Sequence, residues 1–172
     1  MNEFFDKVLS DQDPLTKIIA KIPGFDGYIE RKSRRDADKL MREMMVTHFG
    51  ELRTRVSDLQ QEFADQGELS YLDDLEKAAT KLQTFNDKMA HAAYGYSGFF
   101  DAAKINEEEL LKIYQFDAGL LAIEEEIGRA IDNIQSSVGT DGLPAAIHHL
   151  VNLTRDLVTA FHRRDEIITS IE

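Results

Sequence analysis

A seven-residue apolar beat recurs in four successive segments of this chain, and it limits the fold more than any other feature. In the first segment it falls on Met45, Phe49, Leu52, Val56, Leu59 and Phe63; in the second, on Leu75, Ala78, Leu82, Phe85, Met89 and Ala92. Gaps alternating between three and four residues put one apolar stripe on one face of each helix, the coiled-coil-like pattern of helices packed lengthwise. No strand-like alternation of useful length competes with it. The pattern predicts an all-α chain.

Composition narrows the classes further. At 172 residues, one domain is expected, with a core large enough to need no disulfide or metal. Cysteine is absent, which excludes disulfides, thiolate metal sites and a Cys nucleophile. The formal net charge of −12 opposes a general nucleic-acid binder, which needs a broad positive footprint. The opening residues Met1 to Asp6 have no basic region followed by an apolar run, and nowhere do eighteen apolar residues run together. A cytoplasmic protein is therefore expected.

Punctuation residues set the organisation. Phe4, Phe5, Val8 and Leu9 form one side of a short amphipathic helix that Asp11-Gln12-Asp13-Pro14 interrupts. Asp13 as N-cap and Pro14 at the first helical position start a second short helix through Leu15, Ile18, Ile19 and Ile22. Residues 23–27, Pro-Gly-Phe-Asp-Gly, make a turn. The chain thus divides into residues 1–27, two short helices and a turn, and residues 28–172, a helical bundle, within a single domain. From Tyr28 to about Asp65 nothing breaks the helical pattern, and Gln66-Gly67 ends it. A second long helix is expected from about Ser70 to Tyr94. Asn106 is a good N-cap for a third, which runs to about Ser137 and carries Leu110, Ile113, Phe116, Leu120, Ile123, Ile127, Ile131 and Ile134. Pro144 opens the fourth, with Ile147, Leu150, Leu157, Phe161, Ile168 and Ile171. Four long antiparallel helices with short links predict an up-down-up-down bundle preceded by the short N-terminal pair.

Chemical motifs are scarce. A di-metal carboxylate bundle needs Glu three residues before His on two helices. Here Met45, Lys88, Ala145, Ala146 and Thr159 precede His48, His91, His148, His149 and His162. His148 and His162 share a helix face but lie roughly 21 Å apart. The serines sit in no nucleophile elbow, and there is no phosphate-binding or dinucleotide motif. Glu107 to Glu109 and Glu124 to Glu126 are consecutive on helices and fan around the surface. No catalytic, metal or cofactor-binding residues are expected, and no cofactor.

Three surfaces remain. Arg31, Arg35, Lys39 and Arg42 fall within about 80° of one another on a helix, with Lys32 and Arg34 flanking. Cations near a helix N-terminus oppose its dipole, so the stripe either pairs within the fold, most simply with Glu124 to Glu126 or Asp101, or docks an acidic partner. Tyr94, Gly95, Tyr96, Gly98, Phe99 and Phe100 form an aromatic–glycine corner, either a tight inter-helix packing or a hinge and contact point. Phe4, Phe5, Val8 and Leu9 either pack on the bundle or touch a membrane surface, although Glu3, Asp6, Asp11 and Asp13 repel anionic lipid.

Two phrases bear a resemblance. Ile22-Pro23-Gly24 with Gly27-Tyr28, Arg31, Arg34-Arg35, Asp38-Lys39 and Arg42 resembles the opening of a group of bacterial all-helical proteins without an assigned activity. Ala93-Tyr94-Gly95-Tyr96 with Gly98, Phe100-Asp101-Ala102 and Lys104 resembles their second recurrent phrase. The resemblance covers residues 22 to about 126; it implies that the basic stripe and the aromatic corner belong together, and it brings no chemistry. The expectation is a non-enzymatic bundle acting through protein partners, a second copy of itself included. The alternative is a peripheral membrane scaffold, which the architecture resembles through its amphipathic leader and helical hairpin. A metal-binding bundle enzyme is the outsider.

Overall fold

A computed structural model describes residues 14–28, 34–92 and 106–169. Among the described residues five α-helices pack against each other: α1, Pro14–Lys21; α2, Arg34–Gln66; α3, Leu72–His91; α4, Glu107–Ser137; and α5, Leu143–Thr169. No strand occurs among the described residues. A 3-10 turn, Leu69–Tyr71, leads into α3.

Local chemistry sets the helix ends. Gly67 sits at φ +79°, a backbone conformation in which a side chain would be strained. Its N–H donates to the Ala64 carbonyl at 3.1 Å and the Glu68 N–H to the Phe63 carbonyl at 2.9 Å. Those two bonds satisfy carbonyls that the last turn of α2 would otherwise leave open, the Schellman arrangement. The start of α4 is equally well made. The Asn106 side chain accepts from the Glu109 N–H at 2.8 Å, and the Glu109 carboxylate accepts from the Asn106 N–H at 3.0 Å. This reciprocal capping box satisfies two backbone donors at once.

The beat goes where its spacing predicts. Met45, Phe49, Val56, Phe63, Leu75, Ala78, Leu82, Phe85 and Met89 are fully buried, and Leu52 and Leu59 nearly so; Ala92 is half-buried. Phe85 is the pivot, with its ring 4.5 Å from that of Phe49 and 5.8 Å, edge to face, from that of Phe161. The α2–α3 hairpin thereby meets α5, while α4 packs along both α5 and α2. His48 lies opposite Glu124 and Arg55 opposite Asp132, so residue numbers rise in step along α2 and α4.

Helix α4 is covered on more than one side. Ile113, Tyr114, Phe116, Asp117, Ala118, Leu120, Leu121 and Ile123 are all buried, which no single-faced amphipathic helix would show. Helix α1 packs against α4, and Ile18, Ile22, Phe25 and Tyr28 join the common core. Residues 14–28 therefore share the hydrophobic core with the bundle. Tyr28, expected to begin the first long helix, lies instead in a bend. Its backbone is held there by side chains of α2 and α4, as described below.

Candidate functional site

Where the bend, α2, α4 and α5 meet, the interior holds charge. Arg164 of α5 and Asp117 of α4 are 0% exposed, Asp38 of α2 is 3%, and Arg34 and Arg42 are 7% and 8%. Isolated charges at such depth cost several kcal/mol each, so the arrangement of partners decides whether the fold survives them.

The partners interlock. Arg164 Nε donates to Asp117 Oδ1 at 2.5 Å and Arg164 Nη2 to Asp38 Oδ1 at 3.1 Å, so one guanidinium bridges two carboxylates. Asp38 Oδ2 accepts from Arg42 Nε at 2.7 Å. Asp117 Oδ2 accepts from the Tyr28 hydroxyl, also at 2.7 Å. All four carboxylate oxygens are engaged, and the planar fork of arginine suits the bridging position better than a lysine point charge would.

Tyr28 is held at three atoms. Its hydroxyl donates to Asp117, its N–H donates to the Tyr114 hydroxyl at 2.7 Å, and its carbonyl accepts from Arg34 Nε at 2.8 Å. The rings of Tyr28 and Tyr114 stack at 5.3 Å, and Phe25 meets Tyr28 edge-on at 5.2 Å. Gly27 stands at φ +106°, and a Cβ there would lie 2.9 Å from the Tyr114 hydroxyl. Both the backbone conformation and the close approach exclude a side chain at this position.

Burial displaces the titrations. It pushes the Tyr28 hydroxyl well above the ordinary tyrosine value, and the Asp117 charge adds to the rise. Burial also raises Tyr114. In Asp117, burial raises the carboxyl above its ordinary value against the opposing pull of Arg164. For the tyrosines the sign follows by linkage. A group with a raised folded pKa contributes stability present below its unfolded value, about 10, and lost as pH rises through the folded value. Tyr28 and Tyr114 are expected to ionise late in an ultraviolet absorbance titration, above the ordinary tyrosine value and together with loss of the fold. Tyr28→Phe should remove one late component. Ionisation of Tyr28 and Tyr114 near pH ~10, with helix content intact, would contradict the buried assignment.

The basic stripe divides. Arg34 and Arg42 turn inward and serve the cluster, whereas Arg35 and Lys39 are exposed, Lys39 with Glu43 at 3.8 Å. Arg42 finds its acid on its own helix, at Asp38, rather than on α4. Glu124, Glu125 and Glu126 face other cations: His48 at 3.5 Å from Glu124, Lys21 paired with Glu125, and Arg129 at 2.7 Å from Glu126. Arg31 and Lys32 lie outside the described residues, as do the corner Tyr94, Gly95, Tyr96, Gly98, Phe99 and Phe100 and the leader Phe4, Phe5, Val8 and Leu9. Among the described residues no group of three His, Asp or Glu side chains is placed to hold a metal ion, and no helix is long and apolar enough to cross a membrane.

Sequence spacing carries a signal for Asp38 and Arg164. Arg164 continues the beat Leu157, Phe161, Arg164, Ile168, and Asp38 precedes Met41, Met45 and Phe49 on the same stripe. A charge on a core position needs a buried partner. No family model matches the chain, and no curated protein or solved structure matches it either.

Proposed function

We propose that this protein is a non-enzymatic helical-bundle module that works through protein–protein contacts, with the exposed Arg35–Lys39 edge of α2 as a docking surface for an acidic partner or a second copy. The observation that carries this reading is the division of the basic stripe. Arg34 and Arg42 turn into the interior, while Arg35 and Lys39, one helical turn apart, are exposed and present positive charge to solvent. The buried carboxylates support it from the other side. With both oxygens of Asp38 and of Asp117 bonded to neighbouring side chains, neither has the open geometry that a general base needs.

The frame for such contacts is read as a four-helix up-down-up-down arrangement. Two short hairpin links and the in-step contacts of α2 with α4 support it. Neighbouring pairs are then not all antiparallel, since α2 and α4 run side by side in one direction.

Charge reversal at Arg35 and Lys39 tests the docking surface. The double variant Arg35→Glu, Lys39→Glu is expected to lose association, read by light scattering for the homo-oligomer and by co-purification for another partner. Surface substitutions of this kind change stability by about 0.5 kcal/mol or less, so the thermal midpoint should hardly move. A large fall in the midpoint would show that the two cations serve the fold, and unchanged association would remove the surface from consideration.

A further inference from the structure

We propose that α1 and the turn ending at Tyr28 form an autoinhibitory strap, which covers a helix-binding face of α4 and is locked there by the bonds of Tyr28. The inference goes beyond the Arg35–Lys39 docking role and does not depend on it.

The covered face is defined at both ends. Tyr114, Ala118, Leu121 and Glu125 follow one another at helical spacing, a stripe of about 16 Å on α4. At one end Tyr28 stacks on Tyr114; at the other, Lys21 pairs with Glu125. Between them Ala118 and Leu121 are 5% and 2% exposed. This stripe lies apart from the seam of Phe116, Leu120, Ile123 and Ile127, which carries the beat of α4.

The cover is the kind of element that comes off first. Helix α1 has eight residues, too few to be stable alone in water. Its helicity depends on docking Ile18 and Ile22, both fully buried. The strap ends in a lock, where the three polar groups of Tyr28 are satisfied by Tyr114, Asp117 and Arg34. When the lock opens, Ile18, Ile22 and Phe25 leave together and the Tyr114–Leu121 stripe loses its cover. An apolar helix face of that length, ending in a carboxylate, suits an amphipathic helix laid along it. The chemistry of α1 itself specifies the occupant: a partner helix with branched apolar residues four apart and a lysine three residues after the first.

Hydrogen exchange on the full chain, with and without Tyr28→Phe, tests the lock. The Ile22 amide, bonded to the Ile18 carbonyl, is expected to exchange through a local opening faster than amides in the middle of α4. Tyr28→Phe removes one hydroxyl bonded to a charged group and should speed that amide about tenfold or more, well beyond any change in α2 to α5. A rise by one common factor in every helix would overturn the proposal, because the strap would then belong to a single cooperative unit. A fluorescently labelled peptide of residues 14–28 tests the face. It should bind the Tyr28→Phe chain at least tenfold more tightly than the parent chain. Fast exchange in α1 without peptide binding would overturn the helix-binding half, and equal binding to both chains would overturn the inhibition.

Discussion

Replacing Arg164 by Met is expected to destabilise the fold by about 3–5 kcal/mol, the cost of removing one partner from a buried ion pair. Arg164 is fully buried and bridges Asp38 and Asp117, so its loss leaves two acids in the interior. Asp38 retains Arg42 and Asp117 retains the Tyr28 hydroxyl, which keeps the cost within that range. At about 2–4 °C per kcal/mol for a domain of this size, the thermal midpoint should drop by roughly 6–20 °C. The deficit should also depend on pH. Burial already raises the Asp117 carboxyl, and Arg164 is what holds it down. Such a group contributes stability below its ordinary value that is lost as pH rises through its folded value. The variant should therefore recover part of its deficit on acidification from pH 7 to 5, in urea midpoints compared with the parent. A second variant separates charge from packing: Arg164→Met with Asp117→Asn should be more stable than Arg164→Met alone at pH 7. A loss under about 1 kcal/mol for the single change would mean that water reaches the cluster and the pairs are those of a surface.

The second large effect belongs to Phe85. Its ring touches those of Phe49 on α2 and Phe161 on α5, so it joins three helices at one level of the core. Phe85→Ala is expected to cost about 3–5 kcal/mol from lost transfer energy and the cavity left behind. Phe85→Leu, which keeps most of the volume, should cost less than half of that. Chemical denaturation of the two variants checks the difference. Equal small losses would show that the neighbouring helices close over the gap, and that Phe85 is not a pivot of the packing.

These two sites differ in how plainly the amino-acid sequence marks them. Phe85 sits on the second apolar stripe, and spacing alone identifies it as core. The Asn106 cap and the breaks at Gly67 and Pro144 are equally legible, because backbone chemistry within a few residues decides them. Arg164 and Asp38 occupy the same kind of position as Phe85, yet an apolar pattern registers them only as gaps. Extending the beat from Met45 through Met41 back to Asp38, or from Phe161 through Arg164 to Ile168, exposes both as charges on a core face. Their mutual pairing is not legible, since it depends on which helices become neighbours. The basic stripe rests on angles around a helical wheel, which are too coarse to separate Arg34 and Arg42, which turn inward, from Arg35 and Lys39. Tyr28 departs from the helical expectation for a related reason. No glycine or proline follows it before Arg34, and the groups that hold it in a bend come from Arg34, Tyr114 and Asp117.

The charge cluster also bears on the order of events in folding. Its bonds join residues 47, 89 and 126 positions apart in the chain, whereas the two hairpins close over links of a few residues. Contacts between near neighbours form early, and the entropy of closing a long loop delays the distant ones. The bridge from Arg164 to both acids is therefore expected to close late, once α2 and the Tyr28 bend have docked on the α4–α5 hairpin. Interactions made that late leave the speed of folding almost untouched and act on the reverse step. On that order of events the buried charges should govern how long a folded molecule lasts rather than how soon it is reached, so replacing Arg164 should speed unfolding and hardly change refolding.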